Sequence, residues 1–367
     1  MLLNLTILIG VMGLIYGLLN FFWIRKLKRK DKVGRIVRNI WITLIILIGF
    51  ILAVREMTLH MFLQVVFLNL TGLCVLALAT TGIVLIFRTS VTTNFAQGMM
   101  AAFGAYAGAN LVLSMTEKTE IPIIYVLFIA MGVAALVSFL IGLFVDVVII
   151  RNGKNITPVG KQMITMGLVL MLLGLIPLVY GTLPISIQAL SYEPKIISFG
   201  ENSWLLPGKN LILPGHNFYT LIISIVMIGA LFLALKFTKW GLGVRATASN
   251  ETVASMMGVN TRLITAMSWA IAGAFGGVAA FLYASEGGSL SSSYMVPVQV
   301  DAFLSSVLGG FSTFGGPIVG TILINLFKSV ASFFNSVWSN VIVYTLVLVI
   351  VLVKPFGLFG KKLSKKV

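Results

Sequence analysis

The sequence predicts an all-α fold: a polytopic membrane protein with about ten transmembrane helices plus one short broken or re-entrant helix. Three observations predict it. Hydrophobic residues make up 59% of the 367-residue chain and charged residues only 10%, for a mean hydropathy of +1.06. A water-soluble core does not use that much apolar sequence, whereas a bilayer does. The apolar runs are continuous rather than alternating, which excludes a transmembrane barrel. The breaks between them are short and mostly basic, so the net charge of +16 reads as an orientation signal. Lipid is therefore the expected neighbour, and no nucleic-acid partner is expected. The single cysteine, Cys74, lies in an apolar run, leaving no disulfide and no thiolate metal site. Residues 1–23 have neither a basic start nor a small-residue cleavage site, so they are read as a span rather than a signal peptide.

The spans follow in order. Residues 1–24 form the first, and 25–38, RKLKRKDKVGRIVR, the densest basic cluster. Residues 39–54 form a second, rather short one. Two regions are distinguished: an extra two-span segment at 1–55, and the main transmembrane domain at 56–367. Within the latter, apolar runs at 61–87, 94–115, 122–150, 162–180, 217–237, 263–283, 317–334 and 337–353 are each read as a crossing. Segment 182–216 breaks the pattern with Pro184, Pro194, Pro207 and Pro214, and reads as an ordered loop with short interfacial helices. Residues 299–308 are too few to span, since a crossing needs about twenty. The glycine-rich stretch 309–316 then returns the chain.

The positive-inside rule sets the orientation. If the 25–38 cluster is cytosolic, alternation puts Arg88, the Arg151–Lys161 loop, the 236–262 region and the lysine-rich tail on the same side. Of the 26 basic residues, only Arg55, Lys118, Lys195 and Lys209 then fall outside, with Lys328 near a span end. The expected topology has the N-terminus outside and the C-terminus in the cytoplasm, in a bacterial plasma (inner) membrane.

The polar island at 240–262 lies between two of these spans. Asn250 suits a helix N-cap, Glu251 the positive end of the helix, and Gly258 the left-handed turn that stops it. A helix of about two turns then carries Val253, Met256 and Met257 on one face, with Arg245 just upstream. So short a helix needs something to pack against, and methionines suit a contact that must adapt. Two readings remain open here: a docking knob for a cytosolic partner, or a loop lying on lipid headgroups.

Polar groups at membrane depth are costly and therefore informative. Asp301, near the start of VQVDAFLSSVLGG, either lines a polar path or holds a helix end near the headgroups. Asp146 is close enough to Arg151 to pair locally. Asn94 either caps the helix of NFAQGMMAAFGAYAG or lines the path, while Gln97 must bond across helices or face a cavity. The pairs Gly104 and Gly108, Gly273 and Gly277, and Gly316 and Gly320 permit close helix approach, with a neighbouring substrate path as the minority reading. His60 and His216 are isolated in sequence near the outer surface, and neither a metal set, a catalytic constellation nor a G-x-x-x-x-G-K-[ST] phosphate loop is present. No catalytic residue, metal or cofactor is expected.

Four stretches carry a family likeness. TGIVLIFRTSVTTNFAQGMMAAFGAYAG (81–108), GLGVRATASNETVASMMGVN (241–260), VDAFLSSVLGGFSTFGGPIVGTILI (300–324) and KPFGLFG (354–360) resemble the membrane-spanning permease of bacterial branched-chain amino acid ABC transporters, of the "H" type. Gln97 stands where that family commonly has His, and residues 1–55 are an addition to the usual pattern. The resemblance implies a transport subunit rather than an enzyme. It also implies two ATP-binding cassette subunits that hydrolyse ATP, a second related permease and an extracytoplasmic solute-binding protein. The 240–262 loop would dock on the ATPase, and Asn94, Gln97 and Asp301 are candidates for the substrate path. The alternatives are a permease of the same family for urea or short amides, and an autonomous secondary carrier or channel.

Overall fold

The computed structural model describes residues 59–118, 121–153, 157–198, 210–287, 289–354 and 356–360. The two spans expected within 1–54, their basic cluster and the tail at 361–367 lie outside the described residues. The chain divides into two units, Met1–Leu63 with Gly200–Lys209 and Gln64–Phe199 with Asn210–Val367; of the first, only 59–63 is described. Seven described helices are long and apolar enough to cross a membrane, and strand is scarce, so the all-α polytopic fold holds.

The run expected as one span at 61–87 is two helices, α1 (Leu59–Leu68) and α2 (Leu70–Ser90). The break has a local cause. The Asn217 amide donates to the Phe67 and Leu68 carbonyls at 2.9 and 3.0 Å, and Asn69 donates to Val65 O at 2.9 Å. Carbonyls bonded sideways in this way let the helix kink.

Helix α3 (Gln97–Lys118) runs beside α4 (Ile123–Phe144), which continues as a π-helical turn over Val145–Ile150. Next come α5 (Pro158–Tyr180), then α6 (Gly215–Phe237), α7 (Lys239–Ser249), α8 (Glu251–Met256) and α9 (Thr261–Ser285). The centre is built on α2 and α9. In them, 83% and 72% of the membrane window is buried, against 22% in α5 and α6. In lipid, apolar residues gain little by leaving their surroundings, so close packing of small residues must hold the helices together. The glycine pairs supply it. A Cβ on Gly104, Gly108, Gly273 or Gly277 would collide with backbone carbonyls of α4 at Ala130, Ala134 or Ser138. α3 and α9 thus both close on α4.

The 182–216 loop corrects one expectation: it carries strands where interfacial helices were expected. β2 (Lys195–Ser198) pairs antiparallel with β3 (Asn210–Leu213), and β1 (Ile185–Ser186) with β4 (Ser289–Leu290). Prolines disfavour the helix, and β3 alternates as a strand does, reading exposed, buried, exposed, buried with Leu211 and Leu213 turned inward. His216, in the first turn of α6, is buried within the protein, its ring nitrogens 3.0 Å from Leu282 O and 3.3 Å from Leu190 N.

The last three helices are α10 (Val296–Gly309), α11 (Gly315–Phe334) and α12 (Ser339–Val353). As expected, α10 is too short to span. At fifteen residues α12 is also short, about 22 Å, although 337–353 was read as a full crossing.

Candidate functional site

Two places gather the residues singled out by sequence, at different heights along α9. The first is the end where α9 begins. The expected polar island is two helices rather than one: Thr238 caps α7 by accepting from Gly241 N at 3.0 Å, before α8 begins. Asn250 caps α8, its Oδ1 accepting from Val253 N at 3.1 Å. At the other end Gly258 has φ +84°; its N–H donates to Ser255 O at 3.1 Å, and Val259 N–H donates to Ala254 O at 3.0 Å. This is the paired 6→1 and 5→2 closure of a Schellman motif. Asn260 then caps α9 by accepting from Leu263 N at 3.1 Å. The chain from α8 into α9 therefore has little slack.

Ala254 turns inward on α8, while Met256 and Met257 are each 79% exposed and Val253 is 53% exposed. Glu251 and Arg245 are exposed as well. The base of α9 is stitched to α4, because Arg151 donates at 2.9 Å both to Asp146 Oδ2 and to Arg262 O. An exposed apolar knob thus sits on a braced platform.

The second place lies deep in the helices. After α2 the chain turns at Val91, φ +50°, and residues 92–94 run buried without helix before α3 starts. Irregular backbone at such depth must find its partners within the protein. Asn94 is not the helix N-cap; it braces the turn, accepting from Ala96 N at 2.9 Å and donating to Gln97 Oε1 at 3.2 Å. Gln97 bonds across helices, its Nε2 donating to Ala272 O at 2.5 Å, half-way along α9. Gln299 of α10 donates to Asn94 O at 3.3 Å, and Thr165 of α5 accepts from Phe95 N at 3.3 Å. The start of α3 and the start of α10 thus meet beside the middle of α9.

Asp301, 6% exposed, takes Lys328 Nζ at 2.5 Å on one oxygen and Tyr344 OH at 2.8 Å on the other. It joins α10 to α11 and α12 and does not meet Asn94 or Gln97 through any of these bonds. At its lower end α10 is closed by the 354–360 segment, where Leu358 N–H donates to Leu308 O at 2.7 Å and Phe359 N–H to Gly309 O at 3.2 Å. Sequence reasoning missed four of these side-chain partners: Thr165, Gln299, Lys328 and Tyr344. The signal for Lys328 was available, as a cation inside an apolar run needs a carboxylate at its own depth. Among the described residues, no three His, Cys, Asp or Glu side chains gather to hold a metal ion.

Comparison with known proteins places this geometry in a family. The family model described as "Branched-chain amino acid transport system / permease component" matches residues 65–352. The high-affinity branched-chain amino acid transport system permease protein LivH of Escherichia coli K12 is 25% identical over 147 residues, 40% of this chain and 48% of that protein. BraD of Pseudomonas aeruginosa is 24% identical over 170 residues, 46% and 54% of the two chains. The chain thus spans about half the length of these relatives. A probable LivH of Methanocaldococcus jannaschii is 26% identical over 312 residues, 79% and 91% of the two chains. No solved structure matches. The match covers α2 through α11 and nearly all of α12, so the chain is a multi-pass membrane protein that belongs to the branched-chain amino acid transport system permease family.

Proposed function

We propose that this chain is the membrane-spanning permease subunit of an ATP-driven importer for branched-chain amino acids. The observation that carries the proposal is α8: a two-ended, fully capped helix whose outward face is Val253, Met256 and Met257, joined by four residues to α9, one of the two central helices. A helix that short has no stability of its own to hold three exposed apolar side chains in place, so a partner must cover them. ATP-binding cassette subunits supply that partner, two of them, beneath this permease and a second related one. An extracytoplasmic binding protein delivers the solute. The relatives named above support the amino acid as cargo. The basic loops support an orientation with the α8 end and the C-terminus in the cytoplasm and the N-terminus outside.

Closure of the ATPase dimer moves α8, and the capped link Met257–Asn260 passes that motion to α9. Alternating access follows at the interface between the two permeases. Asn94, Gln97 and Asp301 hold the broken elements that flank the path, so that the starts of α3 and α10 move together with α9.

The test is the double variant Met256→Asp/Met257→Asp in the assembled transporter. It is expected to lose ATPase co-purification and uptake while inserting and melting like wild type, since both side chains are exposed. Normal ATPase binding by that variant, or solute flux by the purified chain with no nucleotide, overturns the proposal.

A further inference from the structure

At the far end of α9, about 36 Å from α8, lies a cavity of about 390 Å³ lined by Tyr283, Ala284, Glu286, Ser289 and Tyr294. That volume falls within the range of small-molecule sites, roughly 300–1,000 Å³. Ala284 is buried and forms the floor; Tyr283 and Tyr294 are half-buried walls, with Glu286 and Ser289 exposed at the mouth. None of these residues was singled out in the sequence as a site, and none takes part in the α8 or Gln97 arrangements.

The walls are fixed by bonds that do not use the cavity. The two tyrosine rings are nearly parallel, 7° apart in plane with centroids 6.2 Å apart. Tyr294 OH donates to Ala280 O at 3.1 Å, which ties the ring to α9. The strand across the mouth, β4, pairs with β1, and Tyr106 OH donates to Leu290 O at 2.7 Å. Gly287, φ +112°, turns the chain sharply just after Glu286.

The chemistry of the lining is one-sided. It holds one carboxylate and no basic group. The last carbonyls of α9 end here, and a helix C-terminus carries about half a negative charge. Aromatic faces attract cations through their ring quadrupole. All three features favour a cation, and none of them favours an anion. The aromatic walls also suit an apolar body rather than a hydrated metal ion.

We propose that this cavity binds a primary ammonium carried on a small apolar body, and that it receives the α-ammonium end of the solute before translocation. The second clause rests on the amino-acid reading above; the first does not. Glu286 pairs with the ammonium, the tyrosine faces cover the adjoining carbons, and Ser289 offers a hydroxyl acceptor.

The experiment is calorimetric titration of the purified full chain in phosphatidylcholine nanodiscs with isopentylamine, against isovalerate as the anion of similar shape. The amine is expected to bind at least tenfold more tightly than isovalerate. Glu286→Gln is expected to weaken it at least tenfold, and Glu286→Asp, which keeps the charge, to restore most of the loss. Equal binding of amine and acid, or amine binding unchanged in Glu286→Gln, overturns the site. Leucine uptake by the wild-type assembly is measured separately. Selective amine binding without leucine uptake keeps the site and removes the amino-acid reading. Leucine uptake with a KM unaffected by Glu286→Gln, and no selective amine binding, removes the site and keeps that reading.

Discussion

Met256 and Gln97 sit at opposite extremes of how a membrane protein uses a side chain. Met256 is apolar, 79% exposed and touches little of its own chain. Gln97 is polar, 1% exposed, and its amide spans from Asn94 on one side to Ala272 on the other. The usual expectation for a soluble protein is inverted at both. The contrast teaches where to look for unfinished contacts in this family. The deep polar groups at 94, 97 and 301 are already engaged with their own chain, whereas the apolar face of α8 is not. A costly residue in the bilayer marks a contact that matters, but not necessarily one made to a ligand.

Three substitutions probe that contrast, in order of expected size. Asp301→Ala leaves Lys328 without its carboxylate and Tyr344 without its acceptor; the expected loss is about 3 kcal/mol, the lower end for broken buried pairs because Lys328 is partly exposed. Thermal melting in detergent reads it, and the double variant Asp301→Leu/Lys328→Met should recover a good part of it. If the single variant melts like wild type, the deep groups are not structural and the contrast collapses. Gln97→Ala strips a hydrogen bond from the Ala272 carbonyl and one from Asn94, for an expected loss of about 2 kcal/mol. Uptake per folded molecule should fall further than expression does; equal decline of both would leave Gln97 a purely structural residue. Asn250→Ala removes the cap of α8 and should cost about 1 kcal/mol, confined to that helix. Hydrogen exchange of the α8 amides should quicken while the melting temperature of the bundle stays put. A shift of the whole melt would mean that α8 is part of the core.

The parts of this structure that sequence revealed are those governed by local rules. The α8 helix was legible because its start and stop are single residues, Asn250 and Gly258, doing work within four residues of themselves. The long apolar helices were legible from length and composition. The strands were not, because β1 finds its partner at Ser289–Leu290, far along the chain and on the other side of four described helices in sequence. Helix α7 was hidden by Gly241 and Gly243, which argue against helix by propensity. Space requires them, since a Cβ on either would strike Leu235 or Ile264. The kink between α1 and α2 was equally hidden, as its cause, Asn217, belongs to another helix. The cavity at Glu286 went unread because each of its residues, taken alone, looks like ordinary loop or helix end.

The Asp301 bonds have a consequence for how this protein is made. Its partners lie 27 and 43 residues further along the chain, on α11 and α12. The carboxylate therefore leaves the ribosome well before the lysine and the tyrosine that will neutralise and hydrogen-bond it. Left alone in hydrocarbon, it carries an insertion penalty of roughly 2.5–3.5 kcal/mol. A helix of fourteen residues has little apolar length with which to offset that. Stable insertion of α10 is accordingly expected to depend on α11 and α12, which bring both partners of the carboxylate.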